Sequence, residues 1–192
     1  MGKQRTLRQY RAVDLSLFGL MLLLFESVII QASTRWFPAQ PWTVSLTPAV
    51  TAVVMFRWGP WCALHAALGG LVLCAEQGAA FPSQYAVYMA GNLLSLAVWL
   101  FLRRPGRKAL VSSTAFNTLA FGLAVLLFMQ AGRAAVSLCF GWAPAKAAGF
   151  FTTEAVTDLF TLVILWIVRR LDGVLEDQRH YLLRVQEEMR NS

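Results

Sequence analysis

Glu26, Asn92, Gln130, Arg133, Glu154 and Asp158 interrupt runs that are otherwise apolar, and they are the residues whose types could do chemistry here. An ionisable group inside a bilayer costs several kcal/mol, which makes each one a functional candidate. Glu154 and Asp158 stand at i and i+4, so a helix projects both carboxylates from one face. Gln130 and Arg133 share nearly one face of a second helix, and Tyr88 lies one turn from Asn92 on a third. Three carboxylates, Glu26, Glu154 and Asp158, face a single guanidinium, Arg133. Two acids then go uncompensated unless they are protonated or met by a ligand. The expected ligand is therefore a cationic or amphoteric small molecule. The competing reading is a structural ion pair, Arg133 with Glu26 or Glu154, that fixes helix packing.

The elements that must position these groups are apolar stretches of membrane-spanning length. The chain has 192 residues, 57% hydrophobic and 14% charged. A hydrocarbon core of ~30 Å takes ~20 residues per helix, so six spans with short loops and one tail account for it. The expected spans are 12–32, 43–56, 61–75, 83–102, 110–140 and 147–168. The second is short and contains Pro48, which predicts a tilted or broken helix. The fifth is over-long and is expected to begin in the membrane interface. The first loop is rich in aromatic and turn residues. Its Trp36 and Trp42 are either interface-belt aromatics or a lid whose indoles stack on a flat ligand. Arg57-Trp58-Gly59-Pro60 predicts a tight inner turn, with Arg57 snorkelling to lipid phosphate.

The net charge of +7 would suggest nucleic acid in a soluble protein, but here it follows membrane orientation and no nucleic-acid partner is expected. Lys3, Arg5, Arg8 and Arg11 precede the first span, Arg103, Arg104, Arg107 and Lys108 follow the fourth, and Arg169 and Arg170 close the sixth. The loops that would face outward carry only Arg35 and Lys146. This positive-inside pattern puts both termini in the cytoplasm. A rise of about 1.5 Å per residue then sets depths below the outer surface of ~10 Å for Glu26 and Glu154, ~12 Å for Arg133, ~14 Å for Asn92 and ~16 Å for Asp158. The inner halves of the same spans are Leu, Val, Phe and Ala. The asymmetry predicts a polar pocket open to the outside, formed by Glu26, Trp36, Trp42, Tyr88, Asn92, Gln130, Arg133, Glu154 and Asp158.

The first apolar run is too long for a cleavable signal, and the Met1-Gly2-Lys3 start matches a myristoylation pattern only loosely. Cys62, Cys74 and Cys139 lack paired spacing, so neither a metal nor a disulfide framework is expected, and no cofactor is implied. His65 reads as a hydrogen-bonded packing histidine. Leu171, Leu175, Gln178, Leu182, Val185 and Met189 form a heptad-like stripe. The expected fold is an all-α integral membrane protein: a six-span domain at 1–170, both ends cytoplasmic, and a cytoplasmic amphipathic helix at 171–192. Two other functions fit less well. One is a six-span scaffold subunit of a multiprotein complex, whose polar residues serve packing. The other is an intramembrane enzyme using Glu154, Asp158 and His65, against which His65 falls on the inner half.

The order of these parts resembles the substrate-binding S component of energy-coupling factor vitamin transporters. The residues that carry the resemblance are Ser45-Leu46-Thr47-Pro48, then Arg57-Trp58-Gly59-Pro60-Trp61, then Ala63 through Gly69-Gly70, within a stretch from Asp14 to Arg170. Span one departs from the family's small-residue docking face, with only Gly19 and Ser27 among bulky residues, and the nearest small-xxx-small pairs are Ala63/Ala67 and Ala131/Ala135. The resemblance implies a plasma-membrane specificity subunit that binds a vitamin-like ligand and is not itself an enzyme. Its implied partners are an energy-coupling membrane subunit and two ATPase subunits of an ABC-type importer. The chain accordingly has no GxxxxGK[ST] phosphate loop.

Overall fold

The computed structural model describes residues 6–39, 42–102 and 115–171, and beyond them residues 174, 175, 177, 178, 181 and 182. The basic loop at 103–108, the start of the expected fifth span and the end of the tail stripe, Val185 and Met189, lie outside the described residues. The regular elements are all helical: α1 (Leu7–Trp36), α2 (Thr47–Trp58), α3 (Cys62–Glu76), α4 (Pro82–Asn92), α5 (Leu96–Leu102), α6 (Ala115–Cys139), α7 (Pro144–Thr152) and α8 (Ala155–Val168). Among the described residues four helical runs are long and apolar enough to cross a membrane, Leu7–Trp36, Thr47–Glu76, Ala115–Cys139 and Pro144–Val168.

The second of these runs doubles back on itself. Gly59 takes φ 64°, and the 3-10 turn Gly59–Trp61 separates α2 from α3. A Cβ placed on Gly69 of α3 would lie 2.0 Å from Thr47 Oγ1 at the start of α2. In a straight helix those residues would stand ~33 Å apart. The expected inner turn is therefore a sharp reversal, and α2 and α3 form an antiparallel hairpin.

α1 starts on a capping box: Gln9 N–H donates to Thr6 Oγ1, and Thr6 N–H donates to Gln9 Oε1. It extends past both expected ends of span one. One of its faces buries Leu22, Glu26 and Ile30, while Leu17, Leu20, Leu24 and Val28 are exposed. Such a bare apolar face suits lipid. α2, by contrast, is buried at every position from Thr47 to Phe56, as a helix apolar all round must be. Around it Leu22, Val53, Phe56, Phe121, Val125, Met129 and Leu165 form the main core, with the Phe56 and Phe121 rings 4.3 Å apart.

Two helical legs are irregular. The expected fourth span becomes α4 and α5, joined by the 3-10 turn Leu93–Ser95 immediately after Asn92. The expected sixth becomes α7 and α8, which break at Thr153 and Glu154. Breaks in helices are where backbone groups and polar side chains are re-aimed, and a 3-10 turn inside a helix often marks a functional hinge.

At the α2–α3 turn, Arg57 is not the lipid-snorkelling residue expected. It forms a bidentate pair with Asp14 of α1 at 2.8 Å and 2.8 Å, and Trp58 Nε1 donates to the same carboxylate at 2.5 Å. The pair matches a partly buried acid with a partly buried cation. Arg57 Nη1 also donates to the Val174 carbonyl at 3.1 Å, and Val174, Leu175 and Leu182 pack against the main core. The described part of the tail thus lies on the helical body rather than standing apart from it, because its apolar stripe finds the core at that end. His65 is buried and bonds the Leu15 carbonyl through Nε2 at 3.0 Å.

Candidate functional site

At the opposite end the polar residues converge on the two broken legs. Arg133, 2% exposed on α6, donates from Nε to Asn92 Oδ1 at 2.7 Å and from Nη1 to Glu154 Oε1. Its guanidinium lies 5.1 Å from the centroid of the Tyr88 ring. Asn92 completes its amide by donating to the Ala66 carbonyl of α3 at 2.9 Å. Asn92 ends α4 and Glu154 sits at the α7–α8 break, so both acceptors that hold Arg133 stand at helix irregularities. A cation buried this deeply is stable only with its donors satisfied, and this arrangement supplies a carboxylate, an amide and an aromatic face.

The other two acids are met within the chain. Glu26, fully buried, accepts from Ser45 Oγ at 2.5 Å and from Leu46 N–H at 2.6 Å. Its carboxylate therefore caps α2, where Pro48 leaves no donor and the helix dipole favours a negative charge. Asp158 Oδ1 accepts from Gln130 Nε2 at 2.8 Å. The expectation that two acids stay uncompensated thus does not hold for hydrogen bonding, since each of the three carboxylates has a donor.

A cavity of about 470 Å³ lies above this network. Tyr88, Trp142, Phe150, Gln77, Gln84 and Lys146 line it, with Glu154 among the lining residues and Arg133 behind it. Phe150 is the hinge of the aromatic wall: it meets Tyr88 edge-to-face at 5.8 Å and lies within 19° of parallel to Trp142 at 6.4 Å. Both rims are turns closed by glycine. After α3, Gly78 takes φ 65° while Ala79 N–H donates to the Cys74 carbonyl and Gly78 N–H to that of Ala75. After α6, Gly141 takes φ 76° while Trp142 N–H donates to the Ser137 carbonyl and Gly141 N–H to that of Leu138. Each is a Schellman cap, which only glycine enters without cost.

Of the residues expected to bind a substrate, the structure brings Tyr88 and Glu154 to the cavity lining and Asn92 and Arg133 directly behind them. Gln130 and Asp158 form a separate pair, and Glu26 serves α2. Trp36 and Trp42 do not reach the cavity and are 75% and 46% exposed. α1 runs on through Trp36, and the strand of chain after Trp42 is tied down instead of hovering as a lid. Thr43 N–H donates to the Thr153 carbonyl, Thr157 Oγ1 donates to the Thr43 carbonyl, and Ser45 N–H donates to Thr157 Oγ1. The sequence reading missed Trp142, Phe150, Gln77 and Gln84, and took Lys146 only as a loop charge. The available signal was an aromatic-glycine-aromatic turn, Phe140-Gly141-Trp142, followed by Pro144 and Lys146. Compared with protein-family models, curated proteins and solved structures, the chain matches none.

Proposed function

We propose that this chain is a six-span plasma-membrane subunit that binds a small, vitamin-type molecule from outside the cell. It hands that molecule to an importer powered by separate coupling and ATPase subunits, in the manner of an energy-coupling factor S component. The observation that supports it best is the cavity: a site of a few hundred Å³ with aromatic walls and a few convergent polar groups is the usual form of a small-molecule site. Its position supports the direction of binding. The cavity opens between the α3–α4 and α6–α7 turns, at the end of the bundle away from Arg57, Arg169 and Arg170. The α2–α3 reversal and the two broken legs support a count of six crossings, each leg running from one end of the bundle to the other.

Two measurements test this reading. Cysteine labelling of intact cells is expected to modify a probe at position 78 and to spare one at position 106; the reverse pattern overturns the orientation. Mass spectrometry of molecules released from the detergent-purified chain is expected to find one bound small molecule. In titration calorimetry with that molecule, Glu154→Gln is expected to weaken binding by more than about tenfold, or ~1.4 kcal/mol, and His65→Ala to leave it unchanged. A wild-type chain that releases and binds nothing, purified with a stable protein partner, points to a scaffold subunit instead.

A further inference from the structure

The cavity lining contains two charged side chains, Lys146 and Glu154, and they stand at opposite ends of α7. Along a helix their separation corresponds to ~12 Å. Lys146 belongs to the mouth: it is exposed, and its Nζ sits 4.1 Å from the centroid of the Trp142 ring beside Gly141. No ion pair involves it among the described residues. Glu154 belongs to the floor and is 4% exposed. Its Oε1 takes the Arg133 guanidinium, and no hydrogen bond among the described residues engages Oε2.

The floor gathers three acid groups around one guanidinium. Glu154, Asp158 and Glu26 all lie within electrostatic reach of Arg133, the one cation there among the described residues. Ser45 and Leu46 donate to Glu26 and Gln130 to Asp158, whereas Glu154 Oε2 has no donor among the described residues. The mouth carries the cation Lys146. Between the two ends, Tyr88, Phe150 and Trp142 present ring edges and faces over the length of the cavity.

We propose that the cavity takes a flat aromatic molecule bearing both an acidic and a basic group, with the acid outermost against Lys146 and the basic N–H at Glu154 Oε2. This rests on the small-molecule function proposed above and adds to it the charge class and the orientation. A simple cation meets the floor but must pass and remain beside Lys146. A simple anion meets Lys146 but brings no donor to Glu154 Oε2. A neutral ring leaves Oε2 desolvated without a donor, a burial that costs free energy. Only the amphoteric class satisfies both ends.

The test uses the full chain in lipid nanodiscs and an equimolar library of water-soluble aromatic compounds in four classes: neutral, acidic, basic and zwitterionic. Compounds retained after washing are identified by mass spectrometry. Zwitterions are expected to be enriched about tenfold or more over neutral compounds. Lys146→Glu, a surface change that leaves the helix contacts intact, is expected to cut retention of zwitterions and acids about tenfold and to raise that of bases. Glu154→Gln is expected to cut retention of zwitterions and bases and to spare acids. If Glu154→Gln does not elute as folded protein on size exclusion, the Lys146→Glu comparison decides alone. Retention without class preference, or a Lys146→Glu profile equal to wild type, overturns the charge assignment and leaves the binding function standing. Retention of no compound of any class by the wild-type chain overturns both.

Discussion

Gly132→Ala is expected to melt this protein at a far lower temperature than Gly149→Ala. A Cβ at Gly132 would lie 2.0 Å from the Gly91 carbonyl oxygen and 2.9 Å from its carbon, and a Cβ at Gly91 would lie 2.6 Å from Arg133 Cα. The obstacle on each side is the other helix's backbone, which cannot swing away as a side chain tip would. Helices in a bilayer gain their association from such close approach, because lipid supplies no hydrophobic drive between them. Overpacking a core typically costs about 1–3 kcal/mol, and the rigid neighbour places this site at or above that range. The change also reaches the site, since Asn92 and Arg133 each follow one of the two glycines and bond each other at 2.7 Å. Gly149→Ala is the control. It sits in α7 with nothing within 4 Å, so alanine's higher helix propensity, worth up to ~1 kcal/mol, is expected to leave stability unchanged or raised. Fluorescence-detected size exclusion after a heating series reads both. Equal melting of the two variants would show that α4 and α6 do not meet through these glycines.

That contact also shows what the sequence could and could not disclose. Gly91 and Gly132 lie in separate apolar runs, and nothing in either run says that they face each other. The runs themselves were legible, because long apolar stretches and the Lys/Arg asymmetry reflect a bulk property, transfer of whole segments into hydrocarbon. So was the gathering of Tyr88, Asn92, Arg133 and Glu154, which follows from helical rise and from the cost of a lone buried charge. The break at Glu154 was hidden, since residues 150–158 carry no proline or glycine, and the break after Asn92 had only Gly91 beside it as a signal. Charge accounting by residue type failed for a different reason. The partners of Glu26 are a hydroxyl and a backbone N–H, at Ser45 and Leu46, and a backbone donor belongs to every sequence alike. Trp36 and Trp42 drew notice by size, yet the rim is made by Trp142 and by two glycine turns whose geometry depends on the sign of φ.

The ion pair at the centre of the site yields the second large effect. Arg133→Ala is expected to destabilise the folded chain by about 3–5 kcal/mol, the usual cost of removing one member of a buried pair. The deletion strands Glu154 Oε1 and Asn92 Oδ1 together, and the Tyr88 ring loses the cation it faces. The charge left at Glu154 is the larger part of that cost. Neutralising it should therefore recover stability even though a further interaction has been removed. Arg133→Gln with Glu154→Gln is expected to be more stable than Arg133→Gln alone, with a coupling of about 0.5–3 kcal/mol between the two sites. Reversible unfolding of the four proteins of this cycle in mixed micelles measures it. The sum carries the argument: a double variant whose loss equals the two single losses added together would mean that Arg133 and Glu154 act independently. The α7–α8 break would then be held by something other than the guanidinium at its side.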